Sequence, residues 1–377
     1  MIQLKDICDI YDCPHTTAKD EGKGYPLVRT PNVGKGRLIL DGIHRVSEDV
    51  YNSRNARAIP EEGDLILARE APVGNVSIIM DGQRVCLGQR VVLIKPKREL
   101  VDPHFLTYYL LSAEVQHRLK NHANGAVVAH LNVSDIRNLW VTLPELEEQV
   151  AIGKILRSID DKIELNRQIN DNLEQQASSL LSDWISTYPC RTYKLSDVCK
   201  YVSAKCDTSN LTSQNYISTE NMLPNKKGIV DASNIPGGKV TSYEIDDILI
   251  ANIRPYFQKI WKADTKGGCS SDVLCIRANI ESHSPILYWL LHQDAFFEYV
   301  MTGAKGCKMP RGDKQHIMNW SIALPENEYW ADLATQLGSI DQRIAYNRIE
   351  SINLSNLRDT LLPKLMSGEL KINEIDC

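Results

Sequence analysis

Leu143-Pro144-Glu145-Leu146-Glu147-Glu148-Gln149 and Leu324-Pro325-Glu326-Asn327-Glu328-Tyr329-Trp330 open two stretches of one chain that align without a gap. Over residues 143–167 and 324–348 the offset is 181, and 11 of the 25 aligned positions are identical. The shared residues include Ser158-Ile159-Asp160 with Ser339-Ile340-Asp341, and Asn166-Arg167 with Asn347-Arg348. A period this long marks a duplicated domain with its helix, since solenoid repeats run to roughly 20–50 residues.

Both stretches read as long helices. Pro144 and Pro325 suit the first helical position, where no backbone N–H is needed, and the glutamates beside them complement the positive helix start. A 4-3 apolar seam then runs through Ile152, Leu156, Ile159, Ile163, Asn166, Asn170, Leu173, Ala177, Leu180 and Trp184. The second copy carries Leu333, Leu337, Ile340, Ile344, Asn347, Ser351, Leu354, Arg358 and Leu361. A seam held over so many turns predicts a coiled coil, about 50 Å long at about 1.5 Å per residue. Pro189 and Pro363 are expected at or just beyond the helix ends. Asn166 and Asn347 interrupt both seams at the same step, and a polar pair there is expected to fix the register. Two copies in one chain pack most simply against each other, in antiparallel fashion.

The stretches before each helix are also related. Leu4-Lys5-Asp6-Ile7-Cys8 matches Leu195-Ser196-Asp197-Val198-Cys199 at an offset of 191, and Asp64–Ala68 matches Asp247–Ala251 at 183. Between these landmarks the loops change length, as expected where loops carry specificity and the scaffold carries the fold. Short apolar runs of strand length occur at Leu38–Leu40, Leu65–Ala68, Val76–Met80, Val91–Ile94, Ile248–Ala251, Lys259–Trp261 and Val273–Ile276. Helical stretches follow at Phe105–Leu111 and Ile286–Leu291. The fold class is α+β: two globular domains, each a small twisted sheet plus helices, separated by two long helices in an antiparallel coiled coil. The predicted boundaries are 1–142 and 189–323 for the domains, 143–188 and 324–377 for the helices.

The net charge of −5 looks unfavourable for nucleic acid until it is divided along the chain. The two helical stretches are net acidic, so the remaining residues lean basic, which permits DNA binding. The ten cysteines have no C-x-x-C spacing and read as free thiols in a reducing compartment. No apolar run approaches membrane-spanning length, and no signal segment opens the chain, so a soluble protein of the cytoplasm with no membrane partner is expected. Phosphate-loop and metal-ligand spacings are missing from the sequence, and the nine histidines are scattered, so no metal site and no catalytic residue are assigned. Asn252-Ile253-Arg254-Pro255-Tyr256 superficially resembles an adenine-methyltransferase loop but has one residue too many.

Base reading needs Arg, Lys, Asn, Gln or Ser on loops that can enter a groove, with basic residues nearby for phosphates. In the first half the candidates are Lys35 and Arg37 in a Gly-flanked turn, Arg69 directly after a strand, and Gln89 with Arg90. In the second they are Asn252, Arg254 and Tyr256 after the matching strand, then Lys305, Lys308 and Arg311 in a Gly-containing loop. Arg69 and Asn252 occupy the same position after the strand at the 183 offset.

The order globular half, Leu-Pro-Glu helix, globular half, Leu-Pro-Glu helix resembles the specificity subunit of type I restriction-modification systems. The most specific elements are Leu143–Gln149, Ser158-Ile159-Asp160-Asp161-Lys162-Ile163, Asp247–Phe257 and Leu361-Leu362-Pro363-Lys364-Leu365-Met366-Ser367-Gly368-Glu369-Leu370. One departure is visible: Asn327-Glu328-Tyr329-Trp330 stands where the first copy has Leu146-Glu147-Glu148-Gln149, which puts contacts at the second helix start in doubt. The resemblance implies a non-catalytic subunit whose two domains each read half of a bipartite, asymmetric site in double-stranded DNA. It further implies helices that set the spacing and dock two methyltransferase subunits, with motor-nuclease subunits joining the complex. S-adenosylmethionine, ATP and Mg are expected on those partners and none on this chain. The rival reading is a stand-alone DNA-binding regulator with a coiled-coil ruler.

Overall fold

The computed structural model describes residues 1–122, 130–326 and 329–371. The chain forms two compact units, Met1–Leu165 with Glu350–Cys377, and Asn166–Ile349. Two helices, Leu146–Thr187 and Trp330–Ser367, each contribute to both.

In the first unit a five-stranded sheet runs in the order Cys8–Asp12, Val91–Pro96, Leu65–Ala68, Val76–Ile78, Gly36–Arg37. Leu65–Ala68 lies at its centre, which explains its unbroken apolar run: alternate side chains point to opposite faces, and both faces are covered. Leu65 and Leu67 join Phe105, Leu106, Ile152 and Leu156 on one side, whereas Ile66 and Ala68 join Val28, Val33 and Leu93 on the other. A three-stranded sheet (Arg45–Val46, Tyr25–Val28, Cys86–Leu87) and a ribbon of Ile2–Gln3 with Trp140–Val141 complete the half.

The second unit repeats this scheme. Its four-stranded sheet runs Cys199–Tyr201, Val273–Ala278, Ile248–Ala251, Ile260–Lys262. Again the central strand faces two ways, with Ile248 and Ile250 against Leu287, Leu291 and Phe296, and Leu249 against Trp261 and Tyr243. A second four-stranded sheet and the ribbon Cys190–Lys194 with Ser321–Pro325 flank it. Each half is thus richer than the single small sheet expected, because its loops pair into further strands. The predicted run Leu38–Leu40 is displaced. The strand is Gly36–Arg37, and Ile39 and Leu40 are exposed beyond a turn closed by the Gly34 N–H on the Arg37 carbonyl.

The duplication extends to single bonds. Glu61 N–H donates to the Asp64 carboxylate as Glu244 N–H does to Asp247, each at 2.8 Å. Asp64 pairs with Lys95 and Asp247 with Arg277, across the same two strands.

Within each unit the two long helices run antiparallel. In the first, Asp160 pairs with Arg358 and Lys162 with Glu350, while Leu361 and Leu365 join Ile152 and Leu156 in the core. In the second, Asn170 Nδ2 faces the Ile344 carbonyl, and the Trp184 indole N–H donates 3.0 Å to the Tyr329 carbonyl. Asn166 and Asn347 are fully buried and face each other: Asn166 Nδ2 donates to the Asn347 carbonyl, and Asn347 Nδ2 donates 2.8 Å to Asn170 Oδ1.

The helix starts differ from expectation. Leu146, not Pro144, is the first helical residue. Pro325 closes the strand Ser321–Pro325, pairing with Cys190, and helix resumes at Trp330; Asn327 and Glu328 lie outside the described residues. Cross-strand pairing captures Pro325 because a strand end, like a helix start, does not need its missing N–H. Pro363 lies inside the second helix rather than beyond it. The departure at Trp330 proves compensated. Gln149 Nε2 donates 2.9 Å to the Pro144 carbonyl, and at the equivalent position the Trp330 indole N–H donates 2.9 Å to the Pro325 carbonyl.

No helix among the described residues is long and apolar enough to cross a membrane. One buried group makes the second unit sensitive to acid. His292 packs at a tilt against Trp289, its Nε2 has no partner among the described residues, and burial, aided by Lys226 and opposed by Asp294, lowers its pKa to about 3. The unfolded chain binds this proton near pH 6.5 and the folded one does not. Its stabilising contribution is therefore complete above pH 6.5 and declines below it. A loss of about 2 kcal/mol is expected between pH 7 and pH 5 in urea unfolding, and His292→Gln is expected to flatten that slope.

Candidate nucleic-acid interface

The two central strands end in the same frame. Arg69 N–H donates 2.9 Å to the Arg90 carbonyl, and Asn252 N–H donates 2.8 Å to that of Asp272. The carbonyl of Arg69 accepts from Leu131 N–H at 3.0 Å, and that of Asn252 from Gly312 N–H at 3.1 Å. Three segments therefore meet at each strand end: the strand itself, the start of the strand paired beside it, and a loop from elsewhere in the chain. Onto this common frame the sequence hangs different side chains.

In the first half, the Arg69 guanidinium is buried and fully engaged. It donates to the Leu131 carbonyl at 2.8 Å and to Asp12 Oδ1 at 2.8 Å, and lies 2.7 Å from His130 Nε2. His130 Nδ1 lies 2.8 Å from Glu70, which also pairs with Arg90 at 3.0 Å. Gln89 donates to the His15 carbonyl and accepts from the Thr17 hydroxyl. Arg90 adopts a left-handed conformation (φ 63°) and its side chain is mostly exposed. His15, Arg69, Glu70, Gln89, Arg90 and His130 together line an open cavity of about 330 Å³. Arg69 is thus a brace, and Gln89 and Arg90 are the side chains presented outward.

Lys35 and Arg37 do not join this cluster. Lys35 is exposed on the turn before Gly36–Arg37, and Arg37 is ion-paired to Asp161 on the first long helix. The carbonyl of Arg37 also accepts from Ser77 Oγ at 2.8 Å. Its charge ties the sheet edge to the helix.

In the second half, Asn252, Arg254, Lys305 and Arg311 are brought together. Arg254 N–H donates 2.7 Å to the Pro310 carbonyl, and Lys305 and Arg311 exchange two main-chain hydrogen bonds of 2.9 Å. Lys308 lies exposed at the tip of the loop so closed. Lys305 pairs with Asp313 at 2.7 Å and Arg311 with Asp272 at 3.2 Å, with both basic side chains exposed by more than half. Lys305 and the N–H groups of His316 and Gln315 hold Asp313 down to about 2, so the carboxylate caps the short helix behind it as an anion. Arg254 sits at φ 51° before the turn Pro255–Phe257, where Tyr256 and Phe257 project half-exposed with ring centres 4.7 Å apart. Exposed aromatics beside exposed cations suit groove edges and unstacked bases alike. Asn252 is buried, and its Oδ1 has no partner among the described residues.

Sequence reasoning missed His15, His130, Glu70 and Asp12 in the first cluster, and Phe257, Lys226 and Lys259 in the second. Asn225 and Lys226 hold the Pro255–Phe257 turn by main-chain bonds of 2.8 and 2.9 Å, and Lys259 lies over the Phe257 ring. The one signal available was the 181 offset, which sets His130 opposite Arg311 and therefore beside the site.

Residues 1–175 match the family model described as the type I restriction modification DNA specificity domain. The chain is 28% identical over 169 residues to the putative type I restriction enzyme MjaX specificity subunit of Methanocaldococcus jannaschii, a match covering 45% of this chain and 37% of that relative. The chain therefore spans well under half the length of that curated relative. It is 21% identical to the MjaIX specificity subunit of the same organism over 99% of this chain and 94% of that one. Among solved structures, the type I restriction-modification S subunit from M. genitalium has the same fold, with a TM-score of 0.58, 18% identity and coverage of 97% and 95% of the two chains. Residues 1–175 thus match the type I restriction modification DNA specificity domain, the whole chain is similar to the MjaIX specificity subunit, and its fold is that of the M. genitalium S subunit.

Proposed function

We propose that this chain reads a split, asymmetric DNA site for a type I restriction-modification complex. Each half reads one half-site, and the paired helices set the spacing and dock two methyltransferase subunits. The chemistry falls to those subunits, with S-adenosylmethionine as methyl donor, and to motor-nuclease subunits that use ATP and Mg. The observation that carries this reading is the shared strand-end frame with unlike side chains. Gln89 and Arg90 are carried on it in one half, braced by Arg69, and Arg254 and the Lys305–Arg311 loop in the other, beside Asn252. A common frame with unlike donors is what two related modules need to read two unlike base sequences.

Co-expression with a type I methyltransferase subunit and mapping of N6-methyladenine tests it. One split, non-palindromic motif is expected, together with co-purification of two methyltransferase subunits per chain. Only continuous or palindromic motifs, or a chain that binds its site tightly alone and recruits no methyltransferase, would favour a stand-alone regulator.

A further inference from the structure

The Ser-Ile-Asp triplet common to both long helices lies on neither strand-end frame. Its aspartates, Asp160 and Asp341, are nonetheless largely shielded from solvent, and each uses its two carboxylate oxygens in the same way. Asp160 Oδ2 accepts 2.7 Å from the Tyr108 hydroxyl, and its Oδ1 accepts 2.8 Å from Arg358. Asp341 Oδ1 accepts 2.8 Å from the Trp289 indole N–H, and its Oδ2 accepts 2.7 Å from Lys262. Tyr108 and Trp289 are themselves 181 apart, on the equivalent helices Pro103–Leu111 and Ser284–Leu291.

The donor has changed from a phenol to an indole while the bond persists. The two side chains share an apolar body with one polar hydrogen at the rim. The cation has changed as well, and in origin: Arg358 comes from the second long helix, Lys262 from the end of a recognition strand. What both copies keep is a carboxylate on the long helix holding the short helix that packs beneath the central sheet. Apolar packing between these helices is non-directional, whereas a bond to a buried carboxylate has a fixed distance and angle. Leaving such a carboxylate unpaired is costly, so the bond resists sliding or rotation of the short helix. Arg69 and Asn252 stand at the ends of strands packed on these short helices.

We propose that Asp160 and Asp341 are positioning residues that set the angle at which each half carries its recognition loops on the long helix. This rests on the DNA-reading function proposed above. The bond acts on where a half-site is met, and the loops decide which bases it contains.

The test uses Asp160→Asn, Tyr108→Phe, Asp341→Asn and Trp289→Phe in the complex with the methyltransferase subunits. Tyr108→Phe removes only the donor and keeps the aromatic ring, so it remains informative where an Asn variant folds poorly. Trp289→Phe also shrinks a fully buried side chain, so Asp341→Asn is the cleaner variant in that half. Methylation is measured on DNA libraries that vary half-site bases and spacer length separately. The bases demanded should stay as in the unaltered complex, while the preference for the native spacer over one a base pair longer or shorter falls about tenfold. Amide exchange on the isolated chain reads the same bond without DNA. Exchange in 103–111 or 284–291 is expected to quicken about tenfold in variants of the same half and to stay unchanged in the other. Unchanged spacer preference overturns the proposal, and so does a loss of base demand parallel to that of spacing, which marks general destabilisation. Should the unaltered complex recognise no split site, the DNA-reading function fails by itself. Exchange then decides: local quickening upholds the positioning bond and its absence overturns it.

Discussion

Replacing Arg69 by alanine is expected to destabilise the first unit by about 3 kcal/mol, because it strands a buried acceptor set around a missing charge. The Arg69 side chain is 8% exposed and its three partners, Asp12, the Leu131 carbonyl and His130, come from segments up to 62 residues away. Removing it unties the strand end from two loops at once. Arg69→Lys keeps the charge but cannot reproduce three divergent bonds, so it should recover less than half of the loss. The equivalent Asn252→Ala is expected to cost under about 1 kcal/mol, since Oδ1 of Asn252 has no partner to lose. Urea unfolding of the three variants checks this. An Arg69→Ala cost equal to that of Asn252→Ala would show that the brace carries no stability.

The second large effect is on DNA. Alanine at Lys305, Lys308 and Arg311 together is expected to weaken DNA binding by the complex about a hundredfold at 0.15 M salt. Each phosphate contact removed should flatten the dependence of log K on log salt by about 0.9, so three contacts flatten it by about 2.7. Lys305 and Arg311 must loosen their pairs with Asp313 and Asp272 to reach DNA, so Lys308 is expected to give the largest single effect. Fluorescence anisotropy across a salt series distinguishes the roles. A loss shared by all sequences marks phosphate contact, whereas a loss confined to the native site with the slope unchanged marks base contact. No change in either would remove this loop from the interface.

The sequence told most where a pattern has a strict period. The 181 offset, the 4-3 seam and the central strands Leu65–Ala68 and Ile248–Ala251 were legible because burial on a helix stripe or on both sheet faces leaves a one-dimensional signature. The site was legible only in part. Arg69 and Asn252 were placed together by offset alone, and the frame unites them. Arg37 looked like a base contact because a basic residue in a glycine turn is ambiguous, and only three dimensions reveal Asp161 beside it. His130 and Asp12 escaped notice since their links to Arg69 span 61 and 57 residues, and only for His130 did the 181 offset offer a signal. Pro325 misled for a chemical reason: proline's missing N–H fits a strand end as well as a helix start. Trp330 misled because a hydrogen bond can outlive the residue type that made it.

The division of the chain at Asn166 also sets an order of events during synthesis. The second unit is one continuous stretch, Asn166–Ile349, whereas the first needs Met1–Leu165 and also Glu350–Cys377, which supplies Leu365 to its core. A ribosome therefore releases everything the second unit requires while the first, though begun earlier, still lacks its closing segment. Domains usually mature from the amino end onward. Here the half made first is finished last, and until Leu365 emerges the core around Ile152 and Leu156 lacks the side chain that closes it.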